Sequence, residues 1–266
     1  MSGSPRGLDD LSLRGRRVLV TGASKGIGAA TARLVGTLGA DVVVHCNADR
    51  EGAARVAEAI ADVPSRVEIV SGDLARWDDA LKVFERAARL LGGVDGLVLN
   101  HGIWKRAPIG ELTEADYDAT LDANLRGVFA LCGAFVRHCD ARPREGGQER
   151  SIVLIASTAA QRGEADHSHY AASKGAIVSL TKSLATELAP RAIRVNCVAP
   201  GWVHTGMTSA TLDDPRAGAE ARAKIPMGRV ADADEIAWAV AFLLGKACRF
   251  ANGEIFNVNG GAVLSG

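Results

Sequence analysis

Tyr170 and Lys174 stand four residues apart, the spacing that places two side chains on one face of a helix. A phenol ordinarily titrates near pH ~10 and exchanges protons poorly at neutrality. An ammonium held beside it favours the phenolate and draws that value toward the working range. Ser157, thirteen residues earlier, supplies a hydroxyl able to polarise a carbonyl. Asn124 falls inside a predicted helix, where asparagine is unfavourable unless something compensates. Upstream, Thr21-Gly22-Ala23-Ser24-Lys25-Gly26-Ile27-Gly28 joins an apolar strand to a helix, the setting in which glycines cradle a dinucleotide. A phenol that moves a proton and a dinucleotide that moves hydride together interconvert alcohols and ketones.

These groups need a scaffold, and short β-branched runs alternating with amphipathic stretches describe one. Strands are expected at Arg17–Val20, Asp41–Cys46, 66–70, Gly96–Leu99, 152–156, 193–198 and 254–258. Between them, helices are expected from the glycine turn to about 38, then over 49–61, 78–91, 114 to about 138, 170–188 and 234–244. Alternation of this kind makes an α/β, doubly wound parallel sheet of Rossmann type, about seven strands with helices on both faces. The strands are nearly all apolar, as a sheet buried on both sides requires. No linker composition and no repeat interrupts the chain, so 1–266 reads as a single domain with 1–13 as a flexible extension. The charged stretch 140–150 is expected to be a solvated loop. The stretch 202–227 follows the sixth strand and reads as a lid over substrate.

Composition narrows the classes. Lys plus Arg equals Asp plus Glu at 31 each, so bulk charge favours neither nucleic acid nor an anionic membrane. Five scattered cysteines without a C-x-x-C pair fit neither a disulfide framework nor a zinc site, and no metal is expected. The longest apolar run, 237–244, is too short to span a bilayer, and the start of the chain lacks a signal-peptide core. A cytoplasmic protein is the expectation.

Within the glycine turn, Gly22 allows the tight turn, Gly26 lets a phosphate approach and Gly28 lets the helix pack on the sheet. Ser24 and Ile27 complete the surface facing the pyrophosphate. The second strand ends at His45-Cys46-Asn47 without a carboxylate for a ribose diol. Lys25 and Arg50 can meet a 2′-phosphate, so NADP(H) is favoured over NAD(H), with Asp49 as the awkward residue. Asp73, beside Leu74, can accept from the adenine amino group or merely cap a helix. Asn100 and Gly102 sit where the adenosine ribose would lie.

Taken together, T-G-x-x-x-G-x-G at 21–28, N-x-G at 100–102, Asn124, Ser157, Y-x-x-x-K at 170–174 and Pro200-Gly201 resemble the short-chain dehydrogenase/reductase family, from about 13 to 264. The resemblance implies that Tyr170 is the acid or base, that Ser157 holds the substrate oxygen, and that Lys174 binds the nicotinamide ribose and lowers the phenol's pKa. It implies that Asn124 holds a relay water, and that Thr205, after Pro200, Gly201 and Val203, meets the carboxamide. The chain departs from the family where N-N-A-G reads Leu99-Asn100-His101-Gly102, and His101 is expected to fill a groove between strands. Trp104, Gln161, Arg162, His169, Trp202 and His204, with His167, are expected to shape the substrate mouth, the tryptophans as walls and Arg162 toward an anion.

The overall pattern looks most like the 3-oxoacyl-acyl-carrier-protein reductase branch, for which Arg126 and Arg191 would dock an acidic carrier. An NAD(H)-dependent polyol, sugar or other secondary-alcohol dehydrogenase is the alternative. A catalytically silent dinucleotide sensor is a third reading. Leu131, Cys132, Phe135 and Cys139 give one helix a broad apolar surface, and the resemblance implies a homotetramer built as a dimer of dimers.

Overall fold

A computed structural model of the chain describes residues 11–142 and 149–264. Much of the expected N-terminal extension and the centre of the expected 140–150 loop lie outside the described residues. Leu13, at the near end of that extension, is buried.

Seven parallel strands form one sheet in the order β3-β2-β1-β4-β5-β6-β7. They are β1 Arg17–Val20, β2 Asp41–Cys46, β3 Val67–Ser71, β4 Gly96–Leu99, β5 Arg150–Ile155, β6 Ile193–Pro200 and β7 Ile255–Val258. The helices are α1 Gly26–Thr37, α2 Arg50–Glu58, α3 Trp77–Leu91, α4 Glu114–Leu121, α5 Gly127–Asp140, α6 Ala159–Arg162, α7 Ser168–Leu188, α8 Ser209–Leu212, α9 Pro215–Ala223 and α10 Ala233–Leu244. Strand order reverses between β1 and β4, and such a switch point opens a crevice at the carboxyl ends of the strands.

Each face of the sheet is sealed by its own apolar cluster. Leu19, Leu97, Ile152 and Val195 face α3, α5 and α7. Val18, Val42, Val98 and Val153 face α1 and α10. Adjacent residues of a strand thus point to opposite covered faces, which explains strands without a polar side. The helical stretch Glu114–Asp140 is long and apolar enough to cross a membrane by length and composition alone. Its α5 portion buries Val128, Leu131 and Phe135 in the core against the sheet.

Two expected elements differ. The helix expected from 114 to about 138 is divided by a π-helical turn, Asp122–Arg126, that carries Asn124. The expected lid contains α8 and α9, the latter begun by Pro215 at its first position and capped by Asp214, which accepts from Ala217 N at 2.7 Å.

Candidate active site

The carboxyl ends of β1, β4, β5 and β6 open onto a cleft of about 490 Å³. At its floor, the glycine turn runs from β1 into α1. A Cβ on Gly28 would drive into the Gly22 carbonyl oxygen and lie 2.5 Å from Asn100 Nδ2, so only glycine lets α1 start there. Asn100 Nδ2 donates to the carbonyls of Thr21 and Gly22, both at 3.1 Å. Thr21 Oγ1 accepts from Asn100 N at 2.9 Å.

Two histidines, His45 buried and His101 half-buried, brace this turn. His45 Nδ1 accepts from Gly22 N at 3.1 Å, and Nε2 lies 3.1 Å from the Gly72 carbonyl. With Nδ1 accepting, the proton sits on Nε2, and the neutral ring bridges the ends of three strands. Burial pushes its pKa down to about 4. His101 Nδ1 lies 2.8 Å from Thr21 Oγ1, and burial, then the charges of His45 and Lys174, push its pKa down to about 3. His101 hydrogen-bonds the turn and also lines the cleft.

Asp49 is the N-cap of α2, accepting from Gly52 N at 2.9 Å and from the Ser24 hydroxyl, and both bonds hold its carboxyl low. Asp73 lines the cleft and also closes an Asx turn, accepting from Ala75 N at 3.0 Å, while α3 begins only at Trp77. The cleft wall includes Ser24, Lys25, Gly26, Ile27, Asn47, Leu74, Gly102, Pro200, Gly201, Val203 and Thr205. Gly28 and Arg50 are absent from it: Gly28 is the packing contact just described, and Arg50 opens α2 as an exposed residue beyond the Asp49 cap. Helix α2 instead turns Arg55 toward a neighbouring groove shared with Lys25 and Arg33.

Ser157, Tyr170 and Lys174 meet at the inner end. Ser157 follows β5, and its Oγ accepts from Ala159 N at 3.1 Å. Tyr170 and Lys174 come from the first turns of α7, both buried. The phenol hydrogen-bonds Ser157, yet burial outweighs that bond and raises its pKa to about 12, with Glu164 adding to the rise. Lys174 Nζ stands 5.9 Å from the phenol ring centroid and donates to the Ile155 carbonyl at 2.9 Å. Its own pKa is lowered to about 8 by burial. Burial therefore opposes the expected tuning of the phenol by the lysine. Desolvation disfavours both charged forms and dominates.

Asn124 is buried in the π-helical turn, an element often found at functional sites. Its Oδ1 accepts from Ile103 N at 2.8 Å, and Nδ2 donates to the Ile103 carbonyl and to Ser173 Oγ at 3.2 and 2.9 Å. The amide ties the 102–103 strand exit to α7, leaving one lone pair of Oδ1 for a water.

Beside the reacting groups lies a smaller pocket of about 60 Å³, which also touches Ser157 and Tyr170. Trp104, Arg162 and Trp202 line it as expected. Trp104 stacks on His167, centroids 4.6 Å apart, and meets Trp202 edge to face at 5.8 Å. Arg106 pairs with Asp166 at 2.8 Å, clamping the two loops that carry this stack. Gln161, His169 and His204 do not line it. Gln161 Nε2 donates to Asn257 Oδ1 on β7 at 2.8 Å. His169 is 3 % exposed and turns both ring nitrogens into the protein, because the residue before Tyr170 faces another side of α7. His204 lies 3.4 Å from Asp213 and faces the groove of Lys25, Arg33 and Arg55.

Residues not foreseen as lining this pocket include Thr158, Glu164, Met207 and Thr208. None has a distinguishing local signal, since loop geometry brings them in. The bracing role of His45 was equally hidden, whereas Asp49 followed by Gly52 carried a readable cap pattern.

Comparison with known proteins agrees with this arrangement. A family model described as Enoyl-(Acyl carrier protein) reductase matches residues 22–263. A cis-4-hydroxycyclohexanecarboxylate dehydrogenase of Sinomonas cyclohexanicum is 40% identical over 92% of this chain and 96% of its own. A 3-oxoacyl-[acyl-carrier-protein] reductase of Aggregatibacter actinomycetemcomitans is 34% identical over 92% of this chain and 98% of its own. The crystal structure of a short-chain dehydrogenase from Burkholderia cenocepacia in complex with NADP superposes with a TM-score of 0.87 at 38% identity, covering 94% of this chain and 98% of that one. From glycine turn to Tyr-Lys pair, this chain belongs to the short-chain dehydrogenase/reductase family and is an NAD(P)-dependent oxidoreductase of alcohol and carbonyl substrates.

Proposed function

We propose that the protein is an NADP(H)-preferring oxidoreductase of a small secondary alcohol or its ketone. The observation that carries this reading is the meeting of Ser157, Tyr170 and Lys174 where the long cleft joins the small pocket. Gly22, Gly26, Asn100 and Thr205 suit a dinucleotide, since a Cβ at Gly26 would already press on Thr205 Cγ2 at 3.3 Å. When bound, the nicotinamide accepts hydride from the alcohol carbon or returns it to the carbonyl carbon. Ser157 donates to the substrate oxygen and Tyr170 gives or takes the proton on it. A phenol whose pKa burial has raised rests protonated at neutrality, the form that donates to a carbonyl oxygen. Lys174, 5.9 Å from the phenol ring centroid, would support the charge that develops as the proton leaves and would hold the ribose hydroxyls of a bound dinucleotide. Asn124 holds the 102–103 segment against α7 and keeps that lysine in place.

Preference for the 2′-phosphate is supported by Asp49, whose carboxylate is committed to capping α2 and to Ser24. Lys25 sits on the cleft wall nearby. NADP in the Burkholderia structure points the same way. Carrier docking has less support: Arg126 is paired with Asp122, and Arg191 lies 3.7 Å from Asp140. A small free substrate fits better than an acyl thioester.

The gathering of all strands in one sheet supports a single domain. Exposed Tyr117 and Phe129, with Trp238 and Phe256 elsewhere, support the homotetramer, and a monomer peak in light scattering would defeat it. Five buried free thiols suit a reducing, cytoplasmic compartment. The central test is NADPH and NADH oxidation against cyclic ketones, keto acids, sugars and acetoacetyl esters. Turnover with NADPH at least about tenfold better than with NADH supports the reading, since a charge-assisted cation–phosphate contact is worth that much. Equal use of both dinucleotides overturns the preference.

A further inference from the structure

We propose that the substrate carries a carboxylate remote from its reacting carbon, received by Arg162, an exposed residue that lines the small pocket. The inference rests on the reading of that pocket as the substrate site.

Arg162 ends α6, the short helix that follows Ser157, and Gly163 with φ +73° turns the chain immediately after it. The guanidinium lines the same pocket as Ser157 and Tyr170. Among the described residues its only hydrogen bond is a long one, 3.4 Å to the Gly163 carbonyl, and no carboxylate pairs with it. Several other arginines are engaged: Arg17 with Asp95, Arg106 with Asp166, Arg126 with Asp122, Arg229 with Glu235. A planar fork of N–H donors left open at a pocket matches a carboxylate bidentately.

Glu164 bears on which end of the substrate can carry that carboxylate. It lines the pocket too, and its charge is the one felt by the Tyr170 phenol. An acid group next to the reacting carbon would meet this carboxylate at close range. A 2-hydroxy acid is therefore disfavoured, and the anionic end belongs away from the phenol, toward Arg162. Between the two ends the walls are Trp104 and Trp202, held at right angles. Faces of this kind receive the C–H surface of a ring or of a sugar chain. Both an alicyclic hydroxy acid and a sugar acid present this chemistry.

The test uses four alcohols with NADP+: 4-hydroxycyclohexanecarboxylate, its carboxamide, gluconate and xylitol. Each acid is expected to exceed its neutral counterpart by about tenfold or more in kcat/KM, mainly through KM, as a charge-assisted contact would give. A ring acid that leads identifies an alicyclic substrate, and gluconate in the lead identifies a sugar acid. Either supports the proposal. Arg162→Met should erase the preference of acid over amide, and Arg162→Lys should restore part of it. Equal turnover of acid and amide, or a preference that survives Arg162→Met, overturns it. Calorimetric titration with cyclohexanecarboxylate and cyclohexanecarboxamide decides the point without turnover. If no alcohol reacts, the secondary-alcohol reading fails, yet tighter binding of the acid that is lost in Arg162→Met still supports the anion site, and equal binding overturns it.

Discussion

The dinucleotide cleft and the substrate mouth share Ser157 and Tyr170 but are built differently. The cleft is made by strand ends and the start of α1, with backbone groups, glycines and two neutral histidines cross-linking it. The mouth is made by three loops whose side chains touch through an aromatic stack and one ion pair. A regular scaffold leaves few ways to place the cleft residues. Loops leave many, so identity of the mouth residues and not their framework decides what enters.

The sharpest break in this comparison lies at the shared residues. Tyr170→Phe should lower kcat by about 10²–10⁴, the usual worth of a general acid or base, with NADPH affinity altered no more than about threefold. Fluorescence titration beside steady-state kinetics checks this. A parallel loss of dinucleotide affinity would mean that the two regions are not separable.

Acid should attack the cleft before the mouth. His45 and His101 titrate ordinarily near 6.5 when unfolded and are held to about 4 and about 3 when folded. Above pH 6.5 both states are neutral and the pair costs nothing. As pH falls from 6.5 toward 4 the unfolded chain takes up protons that the folded chain cannot, so stability is lost across that window. The loss is on the order of 3 kcal/mol for His45 alone. Urea melts between pH 7 and 4 measure it, and His45→Gln, which keeps an acceptor and a donor, should flatten the profile.

Gly28→Ala tests how tightly the cleft is specified. The added methyl meets the Gly22 carbonyl and Asn100, so a loss of about 1–3 kcal/mol is expected together with weakened NADPH binding. Thermal melts with and without dinucleotide report both. Smallest is Asp49→Ala. Loss of the α2 cap should lower the denaturant midpoint slightly, leaving turnover with NADPH largely intact. A large fall in NADH use relative to NADPH would show that Asp49 serves ribose after all.

Periodicity made the sheet legible, because a buried parallel strand must be apolar throughout. β1, β2 and β4 fall where expected, β3, β5 and β6 shift or lengthen by one or two residues at their ends, and β7 starts one residue late. Strand ends are set by neighbours: β6 runs to Pro200 because β7 pairs with it as far as Val258. The π-helical turn around Asn124 was not legible, since its residues suit an ordinary helix and only packing against Ile103 and Ser173 draws the side chain inward. Gln161, His169 and His204 carried plausible polar groups near the right positions. Facing directions on short loops and first helical turns then sent them to β7, to the interior and to Asp213.

From the sequence alone came the doubly wound architecture, the glycine turn and the Asn-Ser-Tyr-Lys set, because local periods and spacings specify them without reference to distant parts of the chain. Tertiary structure alone decided which charges are spent and which remain open: Asp49 on a helix cap, Arg126 on its own acid, Arg162 toward the pocket. It also decided that Tyr170 and Lys174 are both desolvated, which pushes the phenol up and the ammonium down. Electrostatic free energy depends on desolvation and on distance through space, and neither quantity is written along the chain.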